Sequence, residues 1–337
     1  MENKLTGNTG TDLILLAKLP NRELNVLCQT NKYVSQLCMN ENLYAYKLAN
    51  EFNKYESEYD FLKFKDLYGY ETYRDYYIDL INHVEENNLL QLIKFRRLDL
   101  VIIGYHKHPD QLEDAFFASC LSGNMDIIQF LYNKGIEDIH ADDEKAFVYA
   151  CDSTFLNVVK YIYKLGLEDE KNGGYRINIH IKEEYPFIFS CRWGNLGIVK
   201  LLYQLGLEEE RKGGRRIDIH AKNEEAFKLA CIERHFNIAD YLYQLGLDEE
   251  KRGGQRIDIH INNEDIFLTA IAERKIETVE YLYQLGLRDE EEGGQKIDIH
   301  ANDDEAYLAV CHTDNEIRDF LFQVDPDYPW PECPENE

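Results

Sequence analysis

Between Ala221 and His260 the apolar residues fall into two stripes. Ala226, Phe227, Leu229, Ala230 and Cys231 make a short helical face rich in small residues, and Ile238, Ala239, Leu242 and Leu245 make a second. Each has the spacing of a helix with one buried side, and neither hides enough surface to be stable alone. The pair closes on Ile-Asp-Ile-His260. The same phrase ends at His220 and His300, as Ile-Asn-Ile-His at His180, and a shorter Glu-Asp-Ile-His140 makes five histidines spaced 40 residues apart. A period in this range predicts stacked repeats, each burying its apolar face on its neighbour. Six pairs of helices are expected, beginning near Glu113, Glu144, Glu184, Glu224, Glu264 and Asp304 and ending near Val324.

Signals at the helix ends refine this picture. The first helices are read as starting at acidic stretches such as Asn223-Glu224-Glu225, where Asn caps and carboxylates favour the positive end of the dipole. The second helices are read as stopping at Gly166, Gly206, Gly246 and Gly286, with glycine as a left-handed cap. Asn88 to Asp99 looks like the second helix of an eroded first repeat, before a turn at His108-Pro109.

Upstream, Leu13, Leu16 and Leu19, then Leu24, Leu27 and Cys28, then Val34, Leu37 and Cys38 predict three short amphipathic helices separated by Pro20 and by the polar Gln29 to Lys32. Residues 53–80 are dense in Tyr and Phe, which suits core packing, because tyrosine buries a large ring and keeps its hydroxyl at a boundary. An aromatic nucleic-acid platform would also need a basic groove. The last segment, Asp325 to Glu337, holds four of the seven prolines and is expected to be a disordered tail, with Trp330 pinned on the final helix pair or free as a recognition motif.

Charge narrows the partners. Residues 1–110 carry 13 Lys+Arg against 16 Asp+Glu, and the remainder 24 against 47, within a net charge of -26. Such a surface repels phosphate backbones and anionic lipids and steers in a partner with a basic face. Neither nucleic acid nor membrane is expected as a partner, and no leader or apolar span is read in the chain. The eight cysteines do not form a secreted framework: Cys120, Cys151, Cys191, Cys231 and Cys311 share one repeat position, where Ile271 stands in another unit. They read as small core residues in a reducing compartment, with Cys333 an exposed thiol.

The candidate chemistry is sparse. Inserts such as Glu208-Glu209-Glu210-Arg211-Lys212-Gly213-Gly214-Arg215-Arg216 read as charged fingers, either a partner surface or an edge laced by salt bridges between neighbours. No nucleotide loop is present in them. One histidine per repeat puts neighbours about 8 to 10 Å apart by analogy with helix packing, whereas zinc needs ligands converging at roughly 2 Å. A turn-stabilising role for the histidines, and interhelical packing for the ladder Tyr132, Tyr163, Tyr203, Tyr243 and Tyr283, follow. The core cysteines lack an activating electropositive setting. No metal, cofactor or catalytic arrangement is expected, and the chain is not read as an enzyme.

Two resemblances give these features a family context. Leu19, Pro20, Glu23 and Leu24, then Asn31 to Tyr33, Leu43-Tyr44 and Phe52 resemble an F-box, with Gly7-Asn8 in place of the opening Leu-Pro and Tyr44 in place of Trp. F-boxes dock on the Skp adaptor of a cullin-RING (SCF-type) ubiquitin ligase. The resemblance implies that Leu13, Leu16, Leu24 and Leu27 are adaptor contacts or core positions; a helical cap on the first repeat is the alternative. The repeats resemble the ankyrin family: Glu225 to Ala230 lies where Thr-Pro-Leu-His-Leu-Ala stands, Pro186 restores the Pro, Gly194 to Lys200 matches Gly-His-Leu-Glu-Ile-Val-Lys, and Asp-Ile-His stands for Asp-Val-Asn. Tetratricopeptide repeats, at 34 residues, fit less well. The short form Gly135 to His140 is similar to ankyrin proteins of giant amoebal viruses of the mimivirus type.

The expected architecture is therefore all-α: an F-box-like domain over residues 1–80, a degenerate first repeat and junction over 81–110, an ankyrin solenoid over 111–324 and a tail over 325–337. The implied function is a protein-binding module recruiting targets to a host ligase, or a stand-alone scaffold. Val148, Ile188, Lys228, Leu268 and Leu308, which differ between otherwise equal units, are the candidate target contacts. A monomer is expected, in the cytoplasm of the cell (the host cell, for a viral protein) or in its nucleus.

Overall fold

The computed structural model describes residues 5–52, 55, 59–312 and 316–332. Among them the regular elements are twenty α-helices and one 3-10 turn at Pro109–Gln111, without a strand. This is the all-helical class that the apolar periodicity predicts. The chain divides into two compact units, Met1–Asp138 and Ile139–Glu337.

The first unit opens with α1 (Thr9–Ala17), α2 (Asn21–Thr30), α3 (Lys32–Leu37) and α4 (Glu41–Glu51). Asn8, Asn31 and Asn40 cap α1, α3 and α4, each accepting a backbone N–H of the first turn. Leu13, Leu16, Leu19, Leu24, Val34, Leu37 and Leu43 close one core between them, each worth roughly 1.5 to 3 kcal/mol when fully buried. Asp12 is sealed in the same unit and accepts from the Thr6 and Gly7 amides, the Thr6 hydroxyl and the Tyr33 hydroxyl.

Cys28 and Cys38 are joined by a disulfide with Cα atoms 6.1 Å apart, which ties α2 to α3. Disulfides persist in oxidising surroundings, so this bond runs against the reading of a reducing compartment. The separation lies inside the range a disulfide bridges. Cys120, Cys151, Cys191 and Cys231 are buried free thiols, whose pKa values burial pushes up. Cys311 is disulfide-bonded, and Cys333, read as an exposed thiol, lies outside the described residues.

Six more helices complete the unit: α5 (Phe61–Leu67), α6 (Tyr73–Glu86), α7 (Leu89–Ile93), α8 (Leu98–Lys107), α9 (Leu112–Ser122) and α10 (Met125–Asn133). The aromatic segment is core: Phe61, Phe64, Tyr76 and Tyr77 are buried, and the two tyrosine hydroxyls donate to Asp99 Oδ2 (2.8 Å) and Glu51 Oε2 (2.7 Å). The Arg97 guanidinium lies over the rings of Tyr68 and Tyr70, 4.8 and 5.4 Å from their centroids, and pairs with Asp79 and Asp99. Asn88 to Asp99 is not one helix. A turn with Arg96 at φ 56° separates α7 from α8.

The second unit is five helix pairs at a 40-residue period. They are α11 (Ala141–Asp152) and α12 (Leu156–Lys171), α13 (Ile181–Arg192) and α14 (Leu196–Arg211), α15 (Ala221–Ile232) and α16 (Phe236–Glu250), α17 (Ile261–Ala272) and α18 (Ile276–Glu291), α19 (Ala301–Leu308) and α20 (Glu316–Val324). Each first helix packs on the next first helix, and α12, α14 and α16 line up in the same way. Phe147, Phe187, Phe227 and Phe267 occupy one register position and are fully buried, with Cys151, Cys191, Cys231 and Ile271 at another.

The helix ends differ from the reading in two respects. Gly206 does not terminate α14, which runs on to Arg211. A Cβ at Gly206 would sit 2.5 Å from the Ile217 amide nitrogen. Glycine is there so that the returning segment, with Ile217 and Ile219 buried, can lie against the helix. The same holds at Gly166, Gly246 and Gly286, which face Ile177, Ile257 and Ile297. The left-handed cap is Gly213 (φ 90°): its N–H bonds to Glu210 O and that of Gly214 to Glu209 O, a Schellman arrangement.

Nor do Asn223 and Glu224 cap a right-handed turn. Lys222, Asn223 and Glu224 have φ of 53, 62 and 60°, and the equivalent triplets in α11, α13, α17 and α19 share this left-handed conformation. Such residues cost about 1 to 2 kcal/mol each in a non-glycine chain, so the fold must hold them from outside.

Candidate interaction surface

What holds the left-handed triplet is the periodic histidine. His220 Nδ1 lies 2.7 Å from Glu224 Oε1, and its Nε2 lies 3.7 Å from Glu249 Oε2 at the end of α16. Glu224 is buried and also accepts the N–H of Asp258, on the returning segment of the same repeat that leads into α17. One side chain therefore fixes its own turn and the approach of the next pair. The arrangement recurs as His140, Glu144 and Asp169 with the Asn178 amide (3.0 Å), and as His180, Glu184 and Glu209 with the Asp218 amide (3.4 Å). His260, Glu264 and Asp289 hold the Asp298 amide at 2.9 Å. Sequence reasoning saw the histidines and missed the acid four residues on, although His-x-x-x-Glu/Asp is repeated five times.

Two carboxylates hold the proton on the ring. The pKa of His220 is pushed up to about 10, first by its bond to Glu224 and then by Glu249. That of His260 is raised in the same sense, with Glu264 the main cause. Among the described residues no three His, Cys, Asp or Glu groups are placed to hold a metal ion.

The segment after α20 supplies the missing partners at the end of the stack. Asp325 Oδ2 stands 3.3 Å from His300 Nε2, where inner repeats use the end of their second helix. The Tyr328 hydroxyl donates to Asp304 Oδ2 (3.0 Å), where inner repeats use the following backbone N–H. Trp330 lies against His300, Tyr307 and Phe322, and its indole N–H donates to Asp325 O. Residues 325–332, read from the sequence as part of a disordered tail, thus take the place of a further repeat; residues 333–337 lie outside the described residues.

The charged inserts are half helix and half return. Arg216 pairs with Glu210 (2.8 Å) and with Glu249 of the next repeat (3.4 Å), and Arg256 with Glu250 (2.8 Å) and Asp289 (3.0 Å). Their charges meet one another between neighbours, which is the edge arrangement; Glu210 and Glu250 are exposed, where a pair is worth about 1 kcal/mol or less, whereas Asp289 is buried.

The face of the first helices is different, because it varies. On α13 the rings of Tyr185 and Phe189 stack at 4.0 Å, and the Arg192 guanidinium lies 5.6 Å from the centroids of both Phe189 and Trp193. Trp193 is 51% exposed. The corresponding residues are Glu225 and Leu229 on α15 with Glu233 capping its end, and Asp265 and Thr269 on α17 with Glu273 capping its end. Of the target contacts read from sequence, Val148, Lys228 and Leu268 are half-buried, with Lys228 paired to Asp265, and Leu308 is exposed. Ile188 is 2% exposed and turned into the interior, so it offers nothing to a partner. The sequence reading missed Tyr185, Phe189 and Trp193, whose spacing of four marks one helical face.

In the first unit Leu13, Leu16 and Leu24 are core residues and Leu27 is half-buried against them. Over α1 to α4 the large apolar side chains left exposed are Ile14, Leu15, Val26, Met39 and Tyr46, and further along the same unit Leu67, Ile78, Phe95 and Leu121 are exposed as well. No helix among the described residues is long and apolar enough to cross a membrane. Neither a protein-family profile nor a curated protein matches the chain.

Proposed function

We propose that this chain is a non-enzymatic protein-interaction module of the ankyrin kind, in which a constant clamped frame presents a variable first-helix face to a protein target. The observation that carries the reading is the contrast between the two sides of each repeat. The His-carboxylate side is nearly invariant from unit to unit, whereas the opposite face runs from aromatic at Tyr185, Phe189 and Trp193 to acidic at Glu233 and Glu273. Binding surfaces of repeat proteins vary in this way because their stacking interfaces cannot.

The N-terminal helices carry the second half of the reading, recruitment of the Skp adaptor of a cullin-RING ligase. Exposed Ile14, Leu15, Val26 and Met39 support a contact there. The burial of Leu13, Leu16 and Leu24 favours the competing view, a stand-alone binding protein whose N-terminus is structural. A Leu24→Ala variant would therefore probe folding and not docking. The informative change is Leu15→Glu with Val26→Asp, both at exposed positions. Purified adaptor is expected to co-elute with the intact chain and not with this variant, at unchanged circular dichroism, in oxidised and reduced samples alike. No co-elution of the intact chain at micromolar concentrations leaves the stand-alone binder.

A further inference from the structure

We propose that Asp152 and the aromatic ridge beside it form a site for a lysine or arginine side chain of a partner polypeptide; the proposal rests on the reading of the first-helix face as a protein-binding surface.

Asp152 is the last residue of α11. It is half-buried, and its Oδ1 is sealed from solvent without a hydrogen-bond partner. Among the described residues no cation pairs with it. The groups that feel its charge are Cys151 on its own helix and Tyr185 on α13, and Tyr185 in turn feels Tyr149 and Arg192. Arg192 does not neutralise Asp152. Its guanidinium lies over Phe189 and Trp193, and its Nε is 3.6 Å from Glu233 at the C-terminal cap of α15.

A carboxylate drawn out of water with nothing to meet it is costly, and unsatisfied groups of this kind are few in folded proteins. Burial pushes its pKa up to about 6. The position is particular to this repeat, since the same register holds Arg192, Ile232 and Ala272 in the following units. A cation docking from the solvent side of this half-buried carboxylate would offset its charge without having to reach the sealed Oδ1, and the stacked pair of Tyr185 and Phe189, which already carries Arg192 over Phe189, shows that this ridge accommodates a cation. Trp193 offers an apolar surface for the residue next to it. Excess acid over residues 111–337 steers in a basic segment and turns away a phosphate backbone.

The test is selection of a displayed library of random peptides on the full chain, on Asp152→Asn, on Asp152→Lys and on Phe189→Ala. The expected consensus on the unaltered chain contains an Arg or Lys at a fixed position. Its affinity falls about tenfold or more on Asp152→Asn, while Asp152→Lys selects an acidic residue at that place. Asp152→Asn keeps or raises the thermal midpoint, because it removes an uncompensated charge, so weaker binding is not unfolding. A consensus without a basic residue, or binding indifferent to Asp152→Asn, overturns this site and leaves the protein-binding reading standing. If no peptide is enriched on the unaltered chain, both fall.

Discussion

Glu264→Ala is expected to cost the second unit about 3 kcal/mol, the loss typical of removing one member of a buried, hydrogen-bonded pair. Glu264 is 4% exposed and meets His260 at 2.7 Å and the Asp298 amide at 2.9 Å. Alanine leaves both donors without an acceptor, and the left-handed turn at Asn262, Asn263 and residue 264 loses its external restraint. Repeat arrays unfold in parts, so a local reading is the sharper one. Hydrogen exchange at the Asp298 amide should quicken far more than at amides in the middle of α13. The same device makes stability depend on pH. His220 binds its proton more tightly in the folded chain than in the unfolded one. Its contribution is therefore complete below the unfolded value of 6.5 and is lost as the pH rises through about 10. Thermal unfolding should show a decline over this alkaline window, and Glu224→Gln should flatten it.

Gly206→Ala should be the more instructive failure, because helix propensity predicts the opposite sign. In a solvent-facing helix the change gains about 1 kcal/mol. Here the new methyl would meet the Ile217 amide nitrogen at 2.5 Å and the Arg216 carbonyl carbon at 3.2 Å. Backbone atoms of the returning segment cannot turn aside as a side chain can. That segment must lift, and Ile217 with it, at a cost of about 3 kcal/mol. Gly197→Ala in the same helix is the control. Its nearest neighbour would be Leu156 Cδ2 at 3.5 Å, an ordinary contact, and its stability should stay level or rise. Urea unfolding of both variants decides the matter: two equal outcomes would mean that Gly206 is not a packing residue.

These two sites mark where local sequence signals stop. The stripes of Phe227, Ala230 and Cys231 and of Ile238 and Leu242 were legible because helix periodicity is local, and they gave the all-helical class and the 40-residue unit. The role of Gly206 was not legible, since it is set by Ile217, which the chain brings back only after the Gly213 turn. Glu224 read as a first-turn acid because nothing nearby announces a left-handed triplet; of its partners, His220 stands four residues before it and was overlooked, and the Asp258 amide meets it only once the chain has returned past α16. Asp325 and Tyr328 sit in a proline-rich stretch with no periodicity, and their meaning appears only at the open end of the stack. The histidine ladder was visible and its structural role was read from spacing alone. The binding face was visible only in part: variation singled out Ile188, which is buried, and passed over Phe189, which is not.

The most direct test of the binding role compares two positions of one repeat. A photo-crosslinking residue placed at Phe189, on the first-helix face, or at Gln204, exposed on the second helix, is activated in cells expressing the full chain. Discrete polypeptide adducts from position 189 and none from position 204 are the expected result. Adducts at position 204 equal to or stronger than those at 189 would contradict a target held on the first-helix face.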